Sequence, residues 1–161
     1  MAKFSRRLHR SRGLRRGERV EHAVRLVVTP AGVGVTELPA MRAMASDKAS
    51  EIAAMGFPAS VRMIAAVTDR RLIVFRRAGF GKRPRYIGEV PIRELGRVEV
   101  RPGLNKSLVF FFRDGRVVDF VAYRTDRPER FVDAVNRLVA ANPPPAPGAR
   151  RRAPIPPAPP F

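Results

Sequence analysis

The chain has 161 residues, 45% of them hydrophobic, which suits one domain with a real core and argues against global disorder. It contains no Cys, so disulfides and Cys-based zinc sites are excluded. A formal net charge of +18, from 32 basic and 14 acidic residues, favours a polyanionic partner, either a phospholipid surface or nucleic acid.

The excess charge is uneven. Residues 1–19 carry eight basic residues and one Glu, and residues 143–161 carry Arg150, Arg151 and Arg152 with no acid. No apolar run reaches the length of a membrane span, and the densest, Leu108 to Phe112, is strand-sized. The N-terminus lacks the apolar core of a secretory signal. The expected location is cytoplasmic, with peripheral association at the inner face of a membrane.

Residues 1–19 read as a basic arm, expected to be disordered, with Gly13 and Gly17 disfavouring a helix. Val20, His22, Val24, Leu26 and Val28 then share one face of a strand, which Thr29-Pro30 and a Gly pair end. A lone His at an inward position is more often a satisfied core or rim residue than a ligand. Residues 30–60 form an insertion. Met41, Ala45, Lys48, Ile52 and Met55 recur near helical spacing, and Gly56-Phe57-Pro58 would end such a helix. A helix and a partly ordered excursion both remain open there.

Two strands follow, near 61–67 and 71–77, joined by Thr68-Asp69-Arg70-Arg71. Thr and Asp side chains bond backbone N–H groups two residues on, so this step is a turn. Further strands are expected near 85–90, 97–101, 107–113 and 116–123, with Asp114-Gly115 suiting a two-residue hairpin. A helix closes the domain. Asp126 and Glu129 are spaced as a capping box, Pro128 fits the first turn, and Phe131, Ala134, Val135, Leu138 and Val139 make one apolar stripe. Asn142-Pro143 stops it, and residues 143–161 are a Pro-rich tail, extended and unable to pack a core.

Four stretches carry a family likeness. They are Val67-Thr68-Asp69-Arg70-Arg71-Leu72-Ile73-Val74-Phe75, Ile87-Gly88-Glu89-Val90-Pro91-Ile92-Arg93-Glu94-Leu95, Asp114-Gly115, and Pro128-Glu129-Arg130-Phe131-Val132-Asp133-Ala134-Val135. Together they resemble bacterial pleckstrin-homology-like (PH-like, GRAM-like) domains over roughly residues 18–141. The excursion at 30–60 resembles that of small basic actinobacterial members. The resemblance implies a mainly β, α+β fold: a seven-stranded antiparallel PH-like bent sheet or open barrel capped by a C-terminal α-helix. It also implies a binding module rather than an enzyme. Eukaryotic PH domains usually bind phosphoinositide through the loop between their first two strands. Here that position is the insertion, whose cations are only Arg42 and Lys48, so specific inositide binding is not expected.

The expected organisation is therefore an arm at 1–19, a PH-like domain at 20–142 and a tail at 143–161. The candidate anion-binding residues are Arg76, Arg77, Lys82, Arg83 and Arg85, around a Gly-rich basic loop able to present backbone N–H groups and cations to phosphate. Arg6, Arg7, Arg10, Arg12, Arg15 and Arg16 would supply nonspecific attraction from the arm. No catalytic residue, metal ligand or cofactor is expected: no Ser or Thr pairs recognisably with a His and an acid. The expected function is binding of an anionic membrane surface or a protein partner. The alternatives are a basic nucleic-acid-associated protein, binding through nonspecific charge, and an adaptor using the Pro-rich tail.

Overall fold

A computed structural model describes residues 13–29, 39–77, 83–103 and 105–144. Seven strands form one antiparallel sheet: β1 (Val20–Val27), β2 (Arg62–Thr68), β3 (Leu72–Arg76), β4 (Arg85–Val90), β5 (Leu95–Arg101), β6 (Lys106–Phe112) and β7 (Val117–Ala122). Their order is β4-β3-β2-β1-β7-β6-β5. Helix α1 (Pro39–Ala54) lies between β1 and β2 in the chain, and helix α2 (Pro128–Ala141) follows β7. The fold is mainly β with α+β character, as the hydrophobic alternation predicts. Neither helix is long and apolar enough to cross a membrane.

Alternation decides which residues go inside. On one face, Val24, Leu26, Met63, Ala65, Val67, Leu72 and Val74 join Leu108, Phe110 and Phe120 in the main core. Phe57 sits at its centre, with ring centroids 5.0 Å from Phe110 and 4.9 Å from Phe120. Phe57 arrives there because α1 stops sharply. Gly56 takes φ +88°, Phe57 N–H donates to the Ile52 carbonyl at 3.3 Å, and Gly56 N–H donates to Ala53 at 3.0 Å. That is a Schellman ending, and it carries the next residue into the core. The insertion is thus helical, although α1 buries only Ala45, Ala49 and Ile52.

The sheet divides at the β1–β7 seam. Only Leu26 with Ala122 and Val27 with Val121 pair there. Below the seam, side chains replace the missing strand partners. Asp126 accepts the backbone N–H of Arg25 at 2.9 Å and takes its guanidinium in a bidentate pair, both bonds 2.7 Å. His22 Nε2 lies 2.8 Å from the Asp126 carbonyl, so this histidine is a satisfied rim residue. Helix α2 packs its stripe against β5 and β1. Its Asn136 donates to and accepts from the backbone of Val98 at 2.9 Å each way, as a neighbouring strand would. The edge strand β5 is thereby covered.

Two local expectations need correction. Asp126 and Glu129 do not form a capping box: the cap residue is Arg127, at φ 54°, with no side-chain cap bond. Asp126 is taken by Arg25 and Glu129 by Lys106, and a charge-assisted partner outbids a backbone N–H. The β6–β7 loop has three residues, 113–115, rather than two. Gly115 N–H donates to Phe112, Phe112 N–H donates to Arg116, and Gly115 has φ +90°. This is a type I turn followed by a left-handed Gly.

The β2–β3 hairpin is buried on both faces. Ile64, Ala66, Ile73 and Phe75 make a second cluster, covered in part by Leu14, Val20 and Ala23. Residues 13–19, assigned by sequence to the arm, therefore lie on the sheet. Their anchor is Glu18, whose side chain is fully buried. It accepts from Arg71 Nε and Nη2, both at 2.8 Å, and from the Thr68 hydroxyl at 2.9 Å. Arg71 also donates to Glu89 at 2.6 Å and to the Gly13 carbonyl at 2.8 Å. Thr68 Oγ1 in turn accepts the N–H groups of Arg70 and Arg71, the predicted turn chemistry.

The Arg71 hydrogen bonds lower the Glu18 pKa from 4.5 to about 2, against the opposing effect of burial. A depressed folded-state pKa stabilises above the unfolded value and ceases to do so as pH falls through the folded one. The shift corresponds to about 3 kcal/mol. Denaturant unfolding of the wild type and Glu18→Gln across pH should show a gap of about that size at neutral pH, shrinking from pH 4.5 toward 2. A gap independent of pH would show that ionisation of Glu18 is not its source.

Candidate anion-binding pole

At the end of β2–β3 opposite the Thr68–Arg71 turn lies a cavity of about 390 Å³. Three segments line it: Arg42 and Ser46 from α1, Ser60, Val61 and Arg62 at the entry to β2, and Arg76 and Arg77 at the exit of β3. Arg42 and Ser46 are four residues apart on a helix, so they share a face. The ladder brings the rest together, since Arg77 N–H donates to the Arg62 carbonyl at 3.0 Å. Alternation places Arg62 and Arg77 on the outer side, following Ile64 and Phe75, and Arg76 on the inner side. The arginines thus wrap around the strand ends. Arg85 pairs in register with Arg76 and extends the basic rim along β4.

Among the described residues, four guanidinium groups and no carboxylate line the cavity. Arg42, Arg62, Arg76, Arg77, Arg83 and Arg85 are all exposed. Among the described residues, Arg42, Arg76, Arg83 and Arg85 enter none of the ion pairs that engage Arg25, Arg71 and Arg116. The Arg77 guanidinium lies 5.9 Å from the centre of the Tyr123 ring, whose nearer cation is Arg25 at 4.5 Å. Exposed arginines outside these ion pairs occur elsewhere too, Arg16, Arg93, Arg113, Arg127 and Arg130 among them, but the grooves that Arg93 and Arg130 border also carry acids. The groove between β1 and α2 includes Glu21 and Asp133, and the groove at the Thr68–Arg71 end includes Glu89 and Glu94. Several guanidinium groups lining one cavity create a local positive potential, and planar guanidinium forks suit phosphate oxygens.

Of the sequence candidates, Arg76, Arg77 and Arg85 meet at this pole. Arg83 is exposed just before β4. Lys82 lies outside the described residues, as do Arg6, Arg7, Arg10 and Arg12 of the arm. Arg15 and Arg16 do not join the pole. Arg15 sits at the other end of the hairpin, 3.8 Å from Glu89, and Arg16 is exposed in the segment beside it. Sequence reasoning missed Arg42, Ser46, Ser60 and Arg62. The i, i+4 spacing of Arg42 and Ser46 was a signal, but only tertiary structure carries α1 to the strand ends.

Among the described residues no group of three or more His, Asp or Glu side chains could hold a metal ion. Comparison with known proteins adds no relative: no family model matches the chain, and no curated protein or solved structure gives a significant match.

Arginines in buried ion pairs and arginines exposed at the pole should separate in unfolding experiments. Arg42→Ala and Arg76→Ala should each change stability by no more than about 0.5 kcal/mol. Arg71→Ala, which strands the buried Glu18, should cost about 3–5 kcal/mol. Equal losses at all three positions would remove the distinction.

Proposed function

We propose that this chain is a non-enzymatic, PH-like binding module that docks on an anionic phospholipid surface through the Arg42, Arg62, Arg76, Arg77, Arg83 and Arg85 pole, at the cytoplasmic face of a membrane. The observation that carries the reading is the cavity whose described lining holds four arginines and no acid. The seven antiparallel strands followed by a helix support the PH-like part. Helix α1 changes the expectation about the insertion, because Arg42 contributes its cation at the strand ends.

The energetics are those of a charged surface. Each basic residue close to an anionic bilayer contributes about 1 kcal/mol at low salt. Exposed charges are screened beyond roughly 8 Å at physiological ionic strength. Several arginines on one end can hold the protein on a membrane without a deep apolar insertion. The tethered arm adds further cations, and its attraction is of the same nonspecific kind.

Sedimentation at low salt should pellet the protein with vesicles rich in phosphatidylserine and leave it in solution with phosphatidylcholine alone. Combining Arg42→Ala, Arg76→Ala and Arg77→Ala should weaken that binding on the order of a hundredfold, at about 1 kcal/mol per arginine. Equal pelleting with both vesicle types would contradict the reading. So would a triple variant that binds as the wild type does. A clear preference for nucleic acid over vesicles would transfer the pole to that partner.

A further inference from the structure

We propose that Ser46 is a site of reversible phosphorylation, and that its phosphate settles among Arg42, Arg62, Arg76 and Arg77 and closes the pole to external anions. The inference rests on reading that pole as anion-binding, and it names the regulation of the same site.

The placement of the hydroxyls carries it. Ser46 is exposed and lines the arginine cavity one helical turn after Arg42. Three other described hydroxyls have structural duties: Thr68 serves Glu18 and its turn, Thr125 accepts from Arg25, and Ser50 donates to the Ser46 carbonyl. Ser60 also lines the cavity, but it is half-buried at the entry to β2. A phosphoserine carries about −1.5 to −2 charges and three acceptor oxygens, and it gains most when opposed to an arginine cluster. Here it would meet the Arg42, Arg76 and Arg77 guanidinium groups, and no carboxylate is among the cavity's described lining residues.

The modifying enzyme also needs access. Segments that bury little apolar surface open locally most readily, and such opening gives a modifying enzyme access. Helix α1 buries two alanines and one isoleucine over sixteen residues. Its hold on the sheet is correspondingly light, with Lys48 reaching the Thr29 carbonyl at 3.3 Å and Asp119 at 3.7 Å. The co-reactant is a nucleoside triphosphate. A bond forms between Ser46 Oγ and the γ-phosphorus, the bond to the β–γ bridging oxygen breaks, and the nucleoside diphosphate leaves. The hydroxyl proton passes to the kinase's base. Hydrolysis of the ester by a phosphatase restores the open pole.

The test compares three forms of the full chain: unmodified, phosphoserine at position 46, and phosphoserine at position 50 as a control of equal charge outside the cavity. In phosphorus NMR titrations, the phosphate at 46 should titrate at least one pH unit below the one at 50, because the arginines favour the dianion. Adding Arg42→Ala and Arg76→Ala should move it back. On phosphatidylserine vesicles, the form modified at 46 should bind at least tenfold more weakly than the form modified at 50. Phosphopeptide mapping of the protein from its native cells should find Ser46 modified. Identical titrations at 46 and 50 would overturn the inference, as would an unmodified Ser46 under every growth condition. If the unmodified protein ignores anionic vesicles, the membrane reading fails while the titration comparison still decides this one.

Discussion

The buried ion pair between Arg71 and Glu18 sets the layout of the molecule. Its two charges, together with Thr68, close one end of the β2–β3 hairpin and fasten residues 13–19 over the outer side of the sheet. With that segment in place the central hairpin is covered on both faces, which is why β2 and β3 consist almost wholly of buried residues. A buried pair of this kind is weak evidence for net stability relative to an apolar substitute, but losing one partner is costly. Its clearest consequence is positional: one end of the hairpin is chemically closed, while the other presents arginines.

This contrast sorts the arginines of a very basic chain. Arg71 joins the N-terminal segment to β3 and β4, and Arg25 joins β1 to the β7–α2 connection. Arg116 joins the β6–β7 hairpin to the Met55 carbonyl just after α1 and to Glu94 before β5. Each ties together pieces far apart in sequence, with carboxylates supplying much of the grip. At the other pole, Arg42, Arg76, Arg83 and Arg85 are exposed and enter none of the salt bridges described above. Net charge alone cannot separate these populations; burial marks the linking arginines, and a shared cavity marks the pole.

Much of the fold was legible because period-two alternation is strong. Val24 with Leu26, Leu108 with Phe110, and Val118 with Phe120 all face inward as their spacing requires. The apolar stripe of α2 was equally plain, because its five large or small apolar residues recur at helical intervals. Helix α1 was harder to read, since an alanine-rich helix with three buried residues has almost no apolar stripe. The fate of carboxylates was not legible either. Asp126 and Glu129 fit a local cap, yet Arg25 and Lys106 claim them from more than twenty residues away. Sequence spacing describes local competition and is silent on a partner delivered by the sheet. For the same reason Arg76, Arg77 and Arg85 could be named in advance, while Arg42 and Arg62 could not be placed beside them.

The central claim, as proposed, is that the arginine-rich pole is the binding face. Amide NMR of the full chain titrated with phosphatidylserine nanodiscs tests it most directly, with phosphatidylcholine nanodiscs as the reference. The account predicts anion-dependent shifts concentrated at residues 42–46, 60–62, 76–77 and 83–85, with little change around Arg15, Arg70 and Arg93. Shifts centred on that opposite end, or the same response to both lipids, would contradict it.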